Sequence, residues 1–177
     1  LHKEIPQHMS EDVKTDCLLW QPNTTQKFQK RLIQVARGSG DALRILIMNV
    51  EALSTKKGTS VANDFLKLNP DSFVAVDEST TIKNRQAQRT KNIIKLGKQA
   101  KYKRILTGSP ITKNPMDLFS QCAFLNSSIL GFDSYYAFQG RYAVVTQRKF
   151  GARSFQQITG YRNLEELNCK IEKHSHR

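Results

Sequence analysis

Phe73-Val74-Ala75-Val76-Asp77-Glu78-Ser79-Thr80-Thr81-Ile82-Lys83-Asn84 is the stretch on which the reading of this chain turns. Four apolar residues run straight into two adjacent carboxylates, then into small polar residues and a Lys-Asn pair. Strands of buried parallel sheets read as short apolar runs of this kind. Ligands of open α/β sheets bind just beyond the carboxyl ends of such strands. Two acids there suit a nucleotide-bound Mg²⁺, one holding the metal and the other orienting or deprotonating a water. The same pair also suits a solvated strand end, and this stretch alone leaves both readings open.

Outward from it, strand and helix signals alternate. Cys17–Trp20 is a short apolar run. Pro22-Asn23-Thr24-Thr25 is a turn with a helix N-cap, and Phe28, Leu32, Ile33, Val35 and Ala36 then recur at helical spacing until Gly38 and Gly40. Arg44–Val50 is the next strand. A polar loop around Thr55–Gly58 leads to a helix near Val61–Leu68. Beyond the acids, Gln86–Leu96 predicts a helix stopped by Gly97, Tyr102–Leu106 a strand, and Pro115–Leu125 a helix with Pro115 near its first turn. The alternation from Cys17 to Leu125 predicts an α/β fold, a parallel sheet flanked by helices with right-handed crossovers. Residues 1–15 are polar, with Pro6 against an early helix interior.

After Asn126 the texture changes and aromatics become dense. Phe132, Tyr135 and Tyr136 suit a helix. Tyr142–Thr146 and Ser154–Thr159 suit a hairpin across Lys149-Phe150-Gly151, and Asn163–Ile171 a final helix. The chain therefore divides into a sheet domain, residues 1–126, and a C-terminal α+β appendage, residues 127–177.

Composition narrows the partners. Lys and Arg number 28 against 15 Asp and Glu, giving a net charge of +13 and a pI near 9.9. That imbalance points to a polyanion, with nucleic acid first. Between Glu78 and Asp117 there are no acids, while Lys83, Arg85, Arg89 and Lys113 are among the bases there. From Ser134 to Leu164 the acids are again missing and Arg141, Arg148, Lys149, Arg153 and Arg162 stand among aromatics. Clustered bases neutralise phosphates, and aromatics stack on unpaired bases or pack a core. Cys17, Cys122 and Cys169 form neither a metal pair nor a disulfide ladder, which suits a reducing, intracellular setting. His174-Ser175-His176 has no partner ligands at metal spacing, and no run reaches membrane-spanning length.

A second polar signature follows the next strand: Arg104-Ile105-Leu106-Thr107-Gly108-Ser109-Pro110-Ile111. Its loop is expected at the same sheet edge as Asp77-Glu78. Thr107 and Ser109 offer hydroxyls, and Gly108 permits close backbone approach. The sequence contains no G-x-x-x-x-G-K-[ST] phosphate loop, and no Ser-His-Asp or Cys-His arrangement is suggested, because the histidines lie near the ends.

Together the two signatures resemble a family. Asp77-Glu78-x-x-x-Ile82-Lys83-Asn84 looks like motif II of the Swi/Snf-type branch of superfamily 2 helicases, D-E-x-H-x-I/L-K-N, with Thr80 where many relatives have His. Leu106-Thr107-Gly108-Ser109-Pro110-Ile111, followed by Asn114, Asp117-Leu118 and Phe124-Leu125, looks like the motif III region. Asn49–Leu53 resembles the segment between motifs Ia and II. The tail from Leu130-Gly131-Phe132 to Leu167 is similar to that of compact phage helicases of this branch.

The resemblance implies the first RecA-like lobe of an ATP-driven DNA helicase or translocase, begun just after motif Ia. Its phosphate loop and second RecA-like lobe would stand elsewhere in the same chain. It implies Mg²⁺ and ATP as cofactors of the full-length protein. Asp77 would be the Mg²⁺ ligand, with Glu78 beside it as the catalytic carboxylate that positions or activates the attacking water. Thr107, Gly108 and Ser109 would be coupling residues, and Lys83 and Asn84 a brace. Asn49, Arg85, Arg89, Lys113 and Arg141 are candidates for the DNA backbone. A monomer in the cytoplasm of a bacterial or phage-infected cell is the accompanying expectation. The competing class is an ATPase-inactive lobe that keeps its basic face for nucleic acid or a protein.

Overall fold

The structure is a computed structural model that describes residues 5–22, 25–38, 40–108, 114–151 and 153–175. Ser109 and Lys113, singled out above, lie outside the described residues, as do Asn23, Thr24 and His176. Among the described residues, seven helices, α1 to α7, span Ile5–His8, Gln26–Arg37, Lys56–Leu68, Gln88–Gly97, Leu118–Leu125, Tyr135–Tyr142 and Leu164–Glu172. Six strands among the same residues, β1 to β6, span Thr15–Leu19, Leu43–Ile47, Phe73–Val76, Tyr102–Ile105, Ala143–Phe150 and Arg153–Tyr161. Short 3-10 turns cover Val50–Ser54, Ser79–Ile82, Pro115–Asp117 and Ser127–Ile129. None of these helices is long and apolar enough to cross a membrane, among the described residues.

The parallel pairing expected from the sequence is present as two short ladders. β1 pairs with β2 from Thr15 opposite Leu43 to Leu19 opposite Ile47. β3 pairs with β4. The Tyr102 N–H donates to the Ser72 carbonyl at 3.1 Å and the Leu106 N–H to the Val76 carbonyl at 2.9 Å, so these strands advance together. Four or five residues per strand give only a few ladder bonds each, and large apolar side chains stay exposed along them, Phe73 and Tyr102 included. The third ladder is an antiparallel β5–β6 hairpin with a bulge between Val144 and Val145. It runs further than the sequence suggested, to Phe150 opposite Arg153.

The chain forms two compact units, residues 1–74 with 87–102, and residues 75–86 with 103–177. In the first, α2 begins at Thr25, whose Oγ1 accepts from the Phe28 N–H at 3.2 Å. The expected loop at Thr55–Gly58 is instead the start of α3. Thr55 Oγ1 accepts from the Gly58 N–H at 3.0 Å and caps a helix that starts at Lys56, five residues earlier than the apolar periodicity shows. Glycine is required there by contact. A Cβ on Gly58 would stand 2.3 Å from the Ala52 carbonyl oxygen. Asn92 on α4 donates to the Leu53 carbonyl at 2.7 Å and to Thr59 Oγ1 at 3.1 Å, tying α4 to this corner. At the N-terminus, Pro6 lies within the single turn α1 instead of barring it, since the first turn leaves its N–H groups unpaired anyway.

The second unit carries most of the aromatics. Phe138 and Tyr142 on α6 are fully buried with Met116, Leu118, Cys122, Leu130 and Leu167. The Phe138 ring lies 5.0 Å from Tyr142, 5.6 Å from Phe119 and 5.9 Å from Phe132, centre to centre. Burying a side chain of this size contributes about 1.5–3 kcal/mol. The core thus joins α5 to residues beyond 127. Burial pushes the Cys122 thiol up to about 12, so it stays protonated and inert at neutral pH.

Candidate functional site

Val76, the last residue of β3, is 3% exposed, and the chain then surfaces. Asp77 and Glu78 are both exposed. Asp77 Oδ1 accepts from the Glu78 N–H at 3.0 Å. Glu78 adopts φ 48°, ψ 61°, in the left-handed region that a residue with a Cβ seldom occupies. That sharp bend ends the strand and returns the next residue, Ser79, to complete burial.

Ser79 is the anchor of the acidic loop. Its N–H donates to the Leu106 carbonyl at 3.0 Å, while the Leu106 N–H donates to the Val76 carbonyl at 2.9 Å. These two bonds bracket the acids and join them to the strand end that leads into Thr107 and Gly108. Ser79 Oγ donates to Gln121 Oε1 at 2.5 Å, and Gln121 Nε2 donates to the Asp117 carbonyl at 3.1 Å. Both side chains are wholly buried, so breaking the bond between Ser79 Oγ and Gln121 Oε1 would cost the desolvation of both groups. Ile82, fully buried, pins the far end of the turn. Lys83 Nζ stands 3.5 Å from Asp117 Oδ2, and Asn84 Oδ1 accepts from the Gln86 N–H at 3.0 Å. Lys83 and Asn84 thus fold the exit of the loop back on itself.

Thr107 is half-buried and Gly108 exposed, with nothing within 4 Å of where a Cβ would stand. A pair of exposed carboxylates supplies the hard oxygen ligands that Mg²⁺ takes, and Mg²⁺ draws its remaining ligands from phosphates and water. No cluster of three or more His, Cys, Asp or Glu side chains is positioned for a metal, among the described residues. The residues present therefore fit a metal delivered with a phosphate better than an ion caged by protein alone.

The four described candidates for the DNA backbone, Asn49, Arg85, Arg89 and Arg141, are already engaged. Asn49 Oδ1 accepts from the Glu51 N–H at 2.9 Å and caps the Val50–Ser54 turn. Glu51 in turn receives Arg89 Nη1 at 2.7 and 2.9 Å. Arg85 lies over the Tyr135 ring, 4.1 Å from its centre, and donates to the Tyr136 hydroxyl at 3.3 Å. Arg141 donates through Nε to Glu166 Oε2 at 3.0 Å. To reach a phosphate, each of these four would share or leave its present partner.

Two groupings were not read from the sequence. One is the Ser79–Gln121 lock, whose signal was a glutamine inside the largely apolar α5. The other is Glu166. It receives Arg141, the Tyr142 hydroxyl at 2.8 Å and Lys170 Nζ at 3.4 Å. The Arg141 and Tyr142 hydrogen bonds hold its carboxyl down to about 2, against 4.5 for a free one. The folded chain keeps this charge until about pH 2, whereas the unfolded chain gains its proton near 4.5. Stability from this site is therefore present above pH 4.5 and is lost as pH falls toward 2. Urea midpoints measured from pH 6 to pH 2.5 are expected to fall less steeply for Glu166→Gln than for the parent. Parallel profiles would remove Glu166 from the acid response.

A family model described as "SNF2-related domain" matches residues 2–171. The chain belongs to the SNF2-related domain family. Among curated relatives, the DNA annealing helicase and endonuclease ZRANB3 of Bos taurus is 34% identical over 139 residues, 77% of this chain and 13% of that protein. The SWI/SNF-related matrix-associated actin-dependent regulator of chromatin subfamily A-like protein 1 of Drosophila melanogaster is 35% identical over 95 residues, 54% of this chain and 12% of that protein. The SNF2-related chain thus spans about an eighth of either relative's length. Among solved structures, the Sulfolobus solfataricus SWI2/SNF2 ATPase core in complex with dsDNA matches with a TM-score of 0.51 and 21% identity, over 79% of this chain and 25% of that one. That likeness establishes the RecA-like α/β fold. The Swi/Snf-type resemblance drawn from Asp77–Asn84 and Leu106–Ile111 agrees with the family match.

Proposed function

We propose that this SNF2-related chain is the motif II and III portion of the first RecA-like lobe of an ATP-dependent DNA helicase or translocase. Residues 1–126 belong to the nucleotide-handling lobe, and residues 127–177 lead toward a second RecA-like lobe of the same polypeptide. The protein acts as a monomer on DNA inside the cell. The observation that carries this reading is the pair of backbone bonds between Val76, Ser79 and Leu106. They tie the acidic loop to the Thr107-Gly108 loop, so that a change at one is felt at the other.

In this role Asp77 would hold Mg²⁺, which would supply charge neutralisation on the ATP phosphates. Glu78 orients the attacking water and accepts its proton from an exposed position at the strand end. Thr107 and Gly108, with Ser109, pass the state of the acidic loop on to the DNA-contacting surface. Lys83 and Asn84 brace the loop through Asp117 and the Gln86 backbone. Asn49, Arg85, Arg89, Lys113 and Arg141 are the proposed backbone contacts, reached by Asn49, Arg85, Arg89 and Arg141 through exchange of the partners described above. The ancestry of the family and the net charge of +13 support the nucleic-acid assignment.

Phosphate release tests the reading. The whole protein is expected to hydrolyse ATP faster with DNA than without it. Residues 1–177 alone, which contain no phosphate-loop motif, are expected to bind Mg-ATP poorly and to turn over little or none. A whole protein that binds DNA but shows no DNA-stimulated hydrolysis would support the ATPase-inactive lobe instead. DNA-stimulated turnover by residues 1–177 in isolation would refute the placement of the phosphate contacts outside them.

A further inference from the structure

Two sets stand out among the aromatics of the second unit. Phe119, Phe132, Tyr135, Phe138 and Tyr142 contact one another in the core of the second unit. Phe150 and Phe155 do not. Phe150 is 83% exposed and Phe155 50%, and neither makes a ring contact among the described residues. Both lie on the distal half of the β5–β6 hairpin, where every described residue from Thr146 to Gln157 is exposed.

The register gives this end a definite pattern. Arg148 stands opposite Phe155, and Phe150 opposite Arg153. Residues two apart on a strand share a face. Arg148, Phe150, Arg153 and Phe155 therefore occupy one face as a checkerboard of two guanidinium groups and two rings. Lys149 lies on the other face opposite Ser154. None of these three cations pairs with an acid among the described residues. Gly151, at φ 59°, turns the chain at the tip.

A hairpin end with no core beneath it gains nothing from exposed phenylalanines in the free state. A ligand that offers flat apolar faces and negative charge at short intervals would cover both features at once. Duplex DNA offers the charge but keeps its base faces stacked inside. Unpaired DNA offers both, and aromatic–base stacking with flanking bases is how single strands are held without sequence preference. We infer that the β5–β6 hairpin tip is a binding element for unpaired DNA. Phe150 and Phe155 stack on bases, and Arg148, Lys149 and Arg153 take the adjoining phosphates. The inference rests on the DNA-handling function proposed above and assigns that function a substrate with single-stranded character.

The test measures binding of the whole protein to a labelled oligo-dT strand and to a blunt duplex of equal length, by fluorescence anisotropy at fixed salt. Phe150→Ala/Phe155→Ala is expected to weaken single-strand binding about 10-fold or more and to leave duplex binding within about twofold, because stacking is lost and charge kept. Phe150→Trp/Phe155→Trp is expected to restore it. Circular dichroism of each variant verifies the fold. Unchanged single-strand affinity, or equal losses on both probes, would overturn the assignment while leaving the proposed function standing. Failure of the parent protein to bind either probe would overturn both. If light scattering shows that the alanine variant breaks up an oligomer of the parent, the tip is a self-association surface and the inference fails.

Discussion

Glu78→Gln in the whole protein is expected to lower DNA-stimulated ATP hydrolysis by about 100- to 10,000-fold, the range a positioned acid or base contributes. ATP binding is expected to stay within about twofold of the parent, because the charge on Asp77, the proposed metal ligand, is not altered. The substitution is clean for structural reasons. Glutamine keeps the volume of the exposed side chain, and residue 78 still donates its backbone N–H to Asp77 Oδ1. Ser79 still locks to Gln121 and Leu106, neither of which touches the altered atoms. Phosphate release under single-turnover conditions reads the chemistry, and equilibrium titration with a fluorescent ATP analogue reads the binding. Turnover that survived the change would remove Glu78 from the water-activating role, and lost ATP affinity would point to a binding role.

Phe138→Ala carries the second large effect, on stability. The side chain is wholly buried, and three aromatic rings lie within 6 Å of its centre. Removing it leaves a cavity among Phe119, Phe132 and Tyr142 that rigid rings fill poorly. A loss of about 3–5 kcal/mol is expected, which approaches the whole stability of many domains. Phe138→Leu, which keeps much of the volume, is expected to cost clearly less. Urea unfolding followed by tyrosine fluorescence decides the matter. A loss below about 1 kcal/mol for the alanine variant would mean that the core closes over the gap. Since this core joins α5 to α6 and α7, the Gln121 end of the acidic-loop lock is expected to loosen with it.

How far the sequence carried can be judged element by element. The strand Phe73–Val76 was legible to the residue, because an apolar run ending in two acids has one reasonable place in an α/β fold. The hairpin was legible from its glycine and its alternation, although not its full length. The start of α3 was hidden. Thr55 and Gly58 are loop formers by type, and only the packed Ala52 carbonyl shows why a glycine stands in a first helical turn. The acids Asp77 and Glu78 were found by motif, but their anchor was not. Ser79 and Gln121 are 42 residues apart, and a hydrogen bond between two such positions leaves no periodic trace. Basic residues fared worst. Arg85 and Arg141 look alike in a charge count, yet one lies over a tyrosine and the other pairs with Glu166, choices made by tertiary neighbours alone.

The left-handed backbone of Glu78 has a consequence for how this sequence can drift. A residue with a Cβ in that conformation costs about 1–2 kcal/mol that glycine would not. Random substitution filtered for thermal stability alone would therefore favour glycine or asparagine at position 78, and would silence the proposed chemistry while improving the fold. A thermostabilised library of this domain should be screened for turnover as well as for melting temperature, with position 78 held fixed.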